Sequence, residues 1–320
     1  SFLVSVSGED LARETDLAVA VSGGGDSLAL AVLLLEWCRT RGMRLHVLTV
    51  DHGLRPESAD EAAYVEGFIR DRGGIHATLR WDDTPKPTTR IQEAAREARY
   101  RLMAAYCKEH RISFLCVAHH AQDQMETILF RMAKGTGVDG LAGMRPVQVW
   151  DNGLVVLRPL LSVSHADLLA TLRSQKIHWI EDPSNENERY ARVRIRNILP
   201  VLEGEGLSAD RITTLSARIT GAVDLIDYLI DNTYKNMVSY RDTKRIDTSY
   251  PDFLNLPIEG KIRILKRIIH DLHPDQVYPA RLEDIAHLAT RMDGDFRGAT
   301  LGHCCFQRKR DLSRDLLIVM

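Results

Sequence analysis

The chain reads as an α/β protein: a doubly wound, largely parallel sheet followed by a second, mainly helical C-terminal domain. Three observations carry that reading. Short apolar runs alternate with longer amphipathic segments through the first two hundred residues, three glycines break one strand-to-helix junction, and the alternation stops after about Gly206. Alternating strands and helices call for right-handed crossovers, hence parallel strands with helices packed on both faces. Such sheets take ligands beyond the carboxyl ends of their strands, where the strand order reverses.

The strands are LAVAVS (17–22), RLHVLTVD (44–51), HATLRW (76–81), SFLCVAHH (113–120) and LVVLRPLL (154–161), each bounded by glycine, proline or polar residues. Between them, residues 26–41, 58–72, 91–110 and 122–134 repeat apolar side chains at helical spacing. The boundary at 206 gives an N-terminal domain, 1–206, and a C-terminal domain, 207–320. In the latter, SADRITTLSARITGAVDLIDYLIDNTYKNM and IEGKIRILKRIIHDLH are amphipathic helices separated by the turn-rich RDTKRIDTSYPDFLNLP. The last thirty residues read as a β hairpin or meander.

Composition narrows the class. At 320 residues and 44% hydrophobic the chain can bury a large core, and 42 Lys+Arg against 44 Asp+Glu imply no global polyelectrolyte partner. The five cysteines form no Cys-x-x-Cys pair and no zinc spacing, which points to a reducing, cytoplasmic setting. No apolar run reaches the twenty or so residues that cross a bilayer, so no membrane partner is expected.

The glycine break is SGGGDS, Ser22, Gly23, Gly24, Gly25, Asp26 and Ser27. Glycines between a strand and a helix let the backbone turn tightly and aim N–H groups at an anion, with the helix dipole behind them. The loop is neither G-x-x-x-x-G-K-[ST] nor G-x-G-x-x-G, and Asp26 would repel a bare phosphate. A plain tight connection is the alternative, but the strand–loop–helix setting and the flanking hydroxyls favour a phosphate.

This loop resembles the pyrophosphate-binding loop of the N-type ATP pyrophosphatases, which have an adenine nucleotide alpha hydrolase-like fold. There an accompanying Mg²⁺ offsets the acidic loop residue. Four further stretches narrow the resemblance to the tRNA(Ile)-lysidine synthetases. They are VDHGLRPESADE (50–61) with Asp51, His52, Leu54 and Arg55; AREARY (95–100); AHHAQDQMETILFRMAKGTGVDGLAGM (118–144); and EDPSNENERYARVRIRNILP (181–200). The five motifs run through nearly all of residues 17–200, whereas 207–320 match only as a helical domain in the expected place.

The residues carry chemistry of their own. Asp51, directly after a strand, is placed for a metal or a nucleotide hydroxyl, a helix cap being the alternative. Asp123 and Glu126 share a helix face beside His119 and His120, a set suited to Mg²⁺ and to a cationic amine; a solvated acidic helix start is the alternative. Arg189, Arg192 and Arg196 fall close to one helical face, with Arg194 nearby, as a grip for RNA phosphate or triphosphate that Arg96 and Arg99 extend; a charge-rich surface helix is the alternative. Arg308, Lys309 and Arg310 are further candidates for RNA contact.

The resemblance implies ATP-dependent ligation of free L-lysine to the wobble cytidine of an isoleucine tRNA with a CAU anticodon, through an adenylated base. Catalytic roles fall to Asp51, Asp123, Arg192 and Arg196, with Asp51 and Asp123 as Mg²⁺ ligands. ATP contacts fall to the SGGGDS loop and Arg96; substrate contacts to His119, His120, Glu126, Arg99 and Arg194; tRNA binding also to residues 207–320. The chain departs from the family pattern where Gln122 replaces the first of two aspartates and Val193 replaces an asparagine. A tRNA thiolase of the same fold is a rival disfavoured by the lack of paired cysteines. A nucleotide- or RNA-binding protein without chemistry is a second, motivated by Gln122 and Val193.

Overall fold

A computed structural model of the chain describes residues 15–320 apart from 54–56, 84–88, 90, 151, 182–190, 243, 275–279 and 311–314. The chain forms two compact units, one ending at Thr220 and one spanning Gly221–Met320.

In the first unit, β1 (Asp16–Ala20), β2 (Arg44–Asp51), β3 (Ile75–Arg80), β4 (Phe114–Cys116), β5 (Val147–Val149) and β6 (Val155–Leu157) form one sheet. Its order is β3-β2-β1-β4-β6-β5. All neighbours are parallel except β5 against β6, where Val147 faces Leu157 and Val149 faces Val155. The chain runs outward from β1 through β2 to β3, then returns to place β4 on the other side of β1. The order therefore reverses between β1 and β4, which is where such a sheet opens a crevice.

The helices are α1 (Gly25–Arg39), α2 (Ser58–Arg70), α3 (Ile91–Glu109), α4 (Ala121–Met132), α5 (Val138–Leu141), α6 (His165–Ser174) and α7 (Ala191–Gly204). α1 is buried through Leu28, Leu30, Ala31 and Leu34 against Leu17, Val19 and Val47 of β1 and β2 on one face. Met103 and Cys107 of α3 pack with Leu48, Leu115 and Val156 on the other. Burial on both faces explains why these strands read as continuous apolar runs rather than alternating ones. α7 joins the sheet domain through Leu199, which packs with Met125 and Ile128 of α4 and with Ile212.

Ile212 belongs to α8 (Ala209–Met237), and the division between the units falls within this helix rather than at the expected 206. The second unit holds the rest of α8 with α9 (Tyr250–Leu254), α10 (Ile258–Leu272) and α11 (Leu282–Arg291). It also holds an antiparallel sheet, β7-β8-β11-β10-β9, made of β7 (Val238–Asp242), β8 (Arg245–Ser249), β9 (Gly298–Leu301), β10 (Cys304–Arg310) and β11 (Asp315–Val319). Ile264, Leu265 and Ile268 of α10 and Leu288 of α11 share a core with Ile246, Phe306, Leu317 and Val319 of this sheet. The expected terminal meander is β9–β10–β11; β8 lies inside the stretch read as turn. No helix among the described residues is long and apolar enough to cross a membrane.

Candidate active site

Three of the motifs lie at the carboxyl edge of the first unit's sheet. Asp51 is the last residue of β2, the glycine loop follows β1, and His119 and His120 follow β4.

In the loop, Gly23 has φ of +90°, a conformation that side chains disfavour, and its carbonyl accepts the N–H of Ile180 at 3.0 Å. A Cβ there would also meet Ile180 Cδ1 at 2.7 Å. Gly24 caps α1 without a side chain, which leaves the amides of the first turn to a ligand. The buried Ser27 hydroxyl donates to the Gly24 carbonyl at 2.9 Å and accepts the Ser22 N–H at 3.2 Å. It fixes the loop from inside, a role beyond the expected phosphate contact.

Asp26 is the centre of a small array. His165 Nδ1, at 2.7 Å, donates to its Oδ1, and His120 Nε2 stands 3.4 Å from its Oδ2. Burial would raise the Asp26 carboxyl, but the two imidazoles outweigh it and hold it below the usual carboxylate range. The anion that looked repulsive in the sequence is thus partly offset by the protein itself.

His120 also builds the start of α4. Its Nδ1 accepts the Gln122 N–H at 3.2 Å while Asp123 Oδ2 accepts the His120 N–H at 3.1 Å, a reciprocal capping box. With Nδ1 accepting, the ring proton of His120 lies on Nε2. Asp26, His120 and His165 bring donor atoms within 4.8 Å of one another, but both imidazoles face the carboxylate as N–H donors. The group is a hydrogen-bonded array rather than a ready metal cage. Gln122, the departure from two aspartates, accepts the His165 N–H through Oε1 at 2.9 Å and so ties the start of α6 to the start of α4.

One turn on, Glu126 is 3% exposed and pairs with Arg196 Nε at 2.6 Å across α4 and α7. This binds the fourth and fifth motifs into one structure. Arg192 and Arg194 are exposed on α7, and Val193 is buried. On α3, Arg99 approaches His52 Nε2 at 3.4 Å, and Arg96 lies over the Tyr100 ring at 4.9 Å. Asp51 Oδ1 accepts the Gly53 N–H at 2.8 Å. Leu54, Arg55 and Arg189 lie outside the described residues, as does most of the DPSN loop. In the second unit Arg308 is bound by Asp315 at 2.7 Å, while Lys309 and Arg310 are exposed on β10.

Two residues with a place in this site were missed by sequence reasoning. His165 opens a helix outside every motif, and nothing local marked it. Arg158 stood in the apolar run LVVLRPLL, where a lone charge was the available signal. Burial holds the neighbouring His119 at a pKa of about 4; Asp123 opposes the shift, and Arg158, Arg96 and Arg192 add to it.

A glycine loop at the helix start, set at the switch point of a parallel sheet and faced by carboxylates and arginines, defines a nucleotide-binding site of the PP-loop class. A family model described as a PP-loop domain matches residues 4–202, so the chain uses ATP as that class does. The chain is 40% identical over 296 residues to a tRNA(Ile)-lysidine synthase of Bradyrhizobium sp. strain BTAi1, covering 89% of this chain and 82% of that protein. With the enzyme of the same name from Rhodopseudomonas palustris, identity is 41% over 256 residues, 79% and 73% of the two chains. The chain belongs to the tRNA(Ile)-lysidine synthase family. In fold, 68% of it matches 77% of the U34-tRNA thiolase NcsA from Methanococcus maripaludis, with a TM-score of 0.57 at 18% identity.

Proposed function

We propose that this protein ligates free lysine to the wobble cytidine of an isoleucine tRNA bearing a CAU anticodon, consuming ATP and releasing AMP and pyrophosphate. The observation that carries the reading is the joining of the family's separate motifs at one sheet edge: loop, His-His helix and arginine helix, with Glu126 on Arg196 as the pin.

The chemistry divides in two. The carbonyl oxygen of the cytosine ring attacks the α-phosphorus of ATP, an O–P bond forms, and pyrophosphate leaves with the bond it breaks. A lysine amine then attacks the ring carbon, and AMP departs with the former carbonyl oxygen. Adenylation is needed because that oxygen is by itself a poor leaving group.

Loop amides at the start of α1 stabilise the charge collected on pyrophosphate, and Arg96, Arg192 and Arg196 are the cations for the transferred phosphoryl group and RNA backbone. Arg99, Arg194, His119 and Glu126 complete the substrate-binding set. Asp123 is the carboxylate for the incoming amine, which must lose a proton to attack. The reacting base must be splayed out of its stack, as anticodon loops permit.

Asp51 and Asp123 would hold Mg²⁺. Each uses one oxygen for a backbone N–H, and among the described residues no hydrogen bond takes the other, which leaves hard oxygen donors of the kind this ion prefers. The ion, when bound, supplies charge neutralisation on the polyphosphate. The exposed cations of the C-terminal unit are assigned to tRNA.

Pyrophosphate release is the test. Multiple turnovers should require both the tRNA and lysine; release that ignores either one, or none at all, would remove this reading.

A further inference from the structure

Arg158 follows β6 directly and lies outside every motif that identified the family. It is 6% exposed, yet among the described residues no carboxylate pairs with it. Neutral acceptors satisfy it instead: Nη1 donates to the Arg145 carbonyl at 2.9 Å, Nη2 to Gln148 Oε1 at 2.9 Å, and Nε to His119 Nδ1 at 3.2 Å. Burying a cation without a counter-charge is costly, and arginine is the side chain that keeps its proton when that is done.

The bond to His119 has a direct chemical consequence. A guanidinium has five donors and no acceptor, so the Nδ1 that faces it must offer a lone pair. The ring proton of neutral His119 is therefore on Nε2. His120 reaches the same tautomer through a different donor, the Gln122 amide. The two neighbours then diverge. His120 turns Nε2 toward Asp26, whereas His119 is partly exposed and its Nε2 has no partner among the described residues.

We propose that Arg158 is a positioning residue that holds His119 as an Nε2–H donor to an oxygen of the phosphoryl group transferred from ATP. This rests on the adenylation reading above. His119 stands at the end of β4, on the far side of the switch point from the phosphate loop, and the cations Arg96, Arg158 and Arg192 act on it together. Burial keeps the imidazole neutral against the pull of Asp123, and these cations add to that effect and favour an anionic ligand, so His119 donates a hydrogen bond and does not serve as a base.

The test uses the full chain labelled with ¹⁵N-histidine, the His119 signal being assigned with His119→Gln. In the wild type, His119 should show one neutral tautomer, protonated at Nε2, from pH 8 down to about pH 5. Arg158→Gln should release it to a mixture of tautomers. The same variant should lower the single-turnover rate of adenylation about tenfold or more with little change in KM for ATP, and Arg158→Lys should recover part of that loss. Gln148→Ala, at an exposed position, loosens Arg158 without removing it and should shift both readouts in the same direction to a smaller extent; it decides the matter if Arg158→Gln does not fold. A tautomer unmoved in the folded variants, or a rate that falls while the proton stays on Nε2, overturns the proposal. Absence of adenylation in the wild type would instead remove the functional reading, and the tautomer would still report on Arg158.

Discussion

At the scale of single residues, the site depends on side chains whose partners lie far away in sequence. Asp123, Glu126 and the loop hydroxyls were legible from spacing alone, because helix periodicity and a glycine break are local signals. What they touch was not. Glu126 meets Arg196 seventy positions away, and Asp26 meets His165 across the sheet edge. Gln122 and Val193 looked like losses, but Gln122 is a built connection to α6 and Val193 is buried in place. Ser27 shows what this changes in a prediction. Its hydroxyl closes the loop on Ser22 and Gly24, so Ser27→Ala removes bonds that set the loop's shape whether or not it also meets phosphate. Losing a partly buried hydrogen bond costs about 1 kcal/mol, which corresponds to a rise of about fivefold in KM for ATP. Steady-state kinetics should find that rise in a protein that still folds, and an unchanged KM would contradict the assignment.

At the scale of elements, the strands with two buried faces were legible and the marginal ones were not. β2 coincides with its predicted span because the six residues LHVLTV, mostly apolar or β-branched, are bounded by Arg44 and Asp51. β5 is three residues, VQV, at a partly exposed edge, too short for any periodicity to register. β8 was hidden because Asp247, though buried, reads as a turn residue; Arg241 and Arg245 each bind it at 2.8 Å and allow it to sit in a sheet. A similar buried acid ties β1 to β2 at their amino ends. Asp16 accepts Arg44 at 2.7 Å, with His46 Nε2 at 2.9 Å, and the Arg44 guanidinium is the main cause of a carboxyl pKa lowered to about 2. A folded-state pKa below the unfolded one means stability that is present above about pH 4 and lost as pH falls toward 2. Urea unfolding should therefore separate wild type from Asp16→Asn most widely near neutral pH, with the gap closing on acidification. A gap that stays constant with pH would show that the ion pair contributes nothing through its charge.

At the scale of the whole molecule, composition and the change of texture announced two parts, while the division itself depends on packing that no composition shift reveals. The first unit extends to Thr220 because Ile212 packs on α4, and Ser216 accepts the Gln124 amide at 2.9 Å while donating to the Ala142 carbonyl at 2.7 Å. A fragment ending at 206 loses these contacts and should unfold at lower temperature than one ending at 220. Both should bind ATP where folded, and calorimetry should find tRNA affinity lost with the C-terminal unit; full-strength tRNA binding by the 1–220 fragment would take that role away from it.

The central claim is the product itself, and mass spectrometry of the digested tRNA measures it most directly. Incubated with ATP and Mg²⁺ but no lysine, a CAU-anticodon isoleucine tRNA should carry AMP, with at most one pyrophosphate released per site. Adding lysine should discharge the AMP and leave the wobble cytidine heavier by one lysine less one water. A sulfur-for-oxygen mass change would assign the chain to thiolation, and an unmodified cytidine after incubation of folded protein with every substrate would contradict lysidine formation outright.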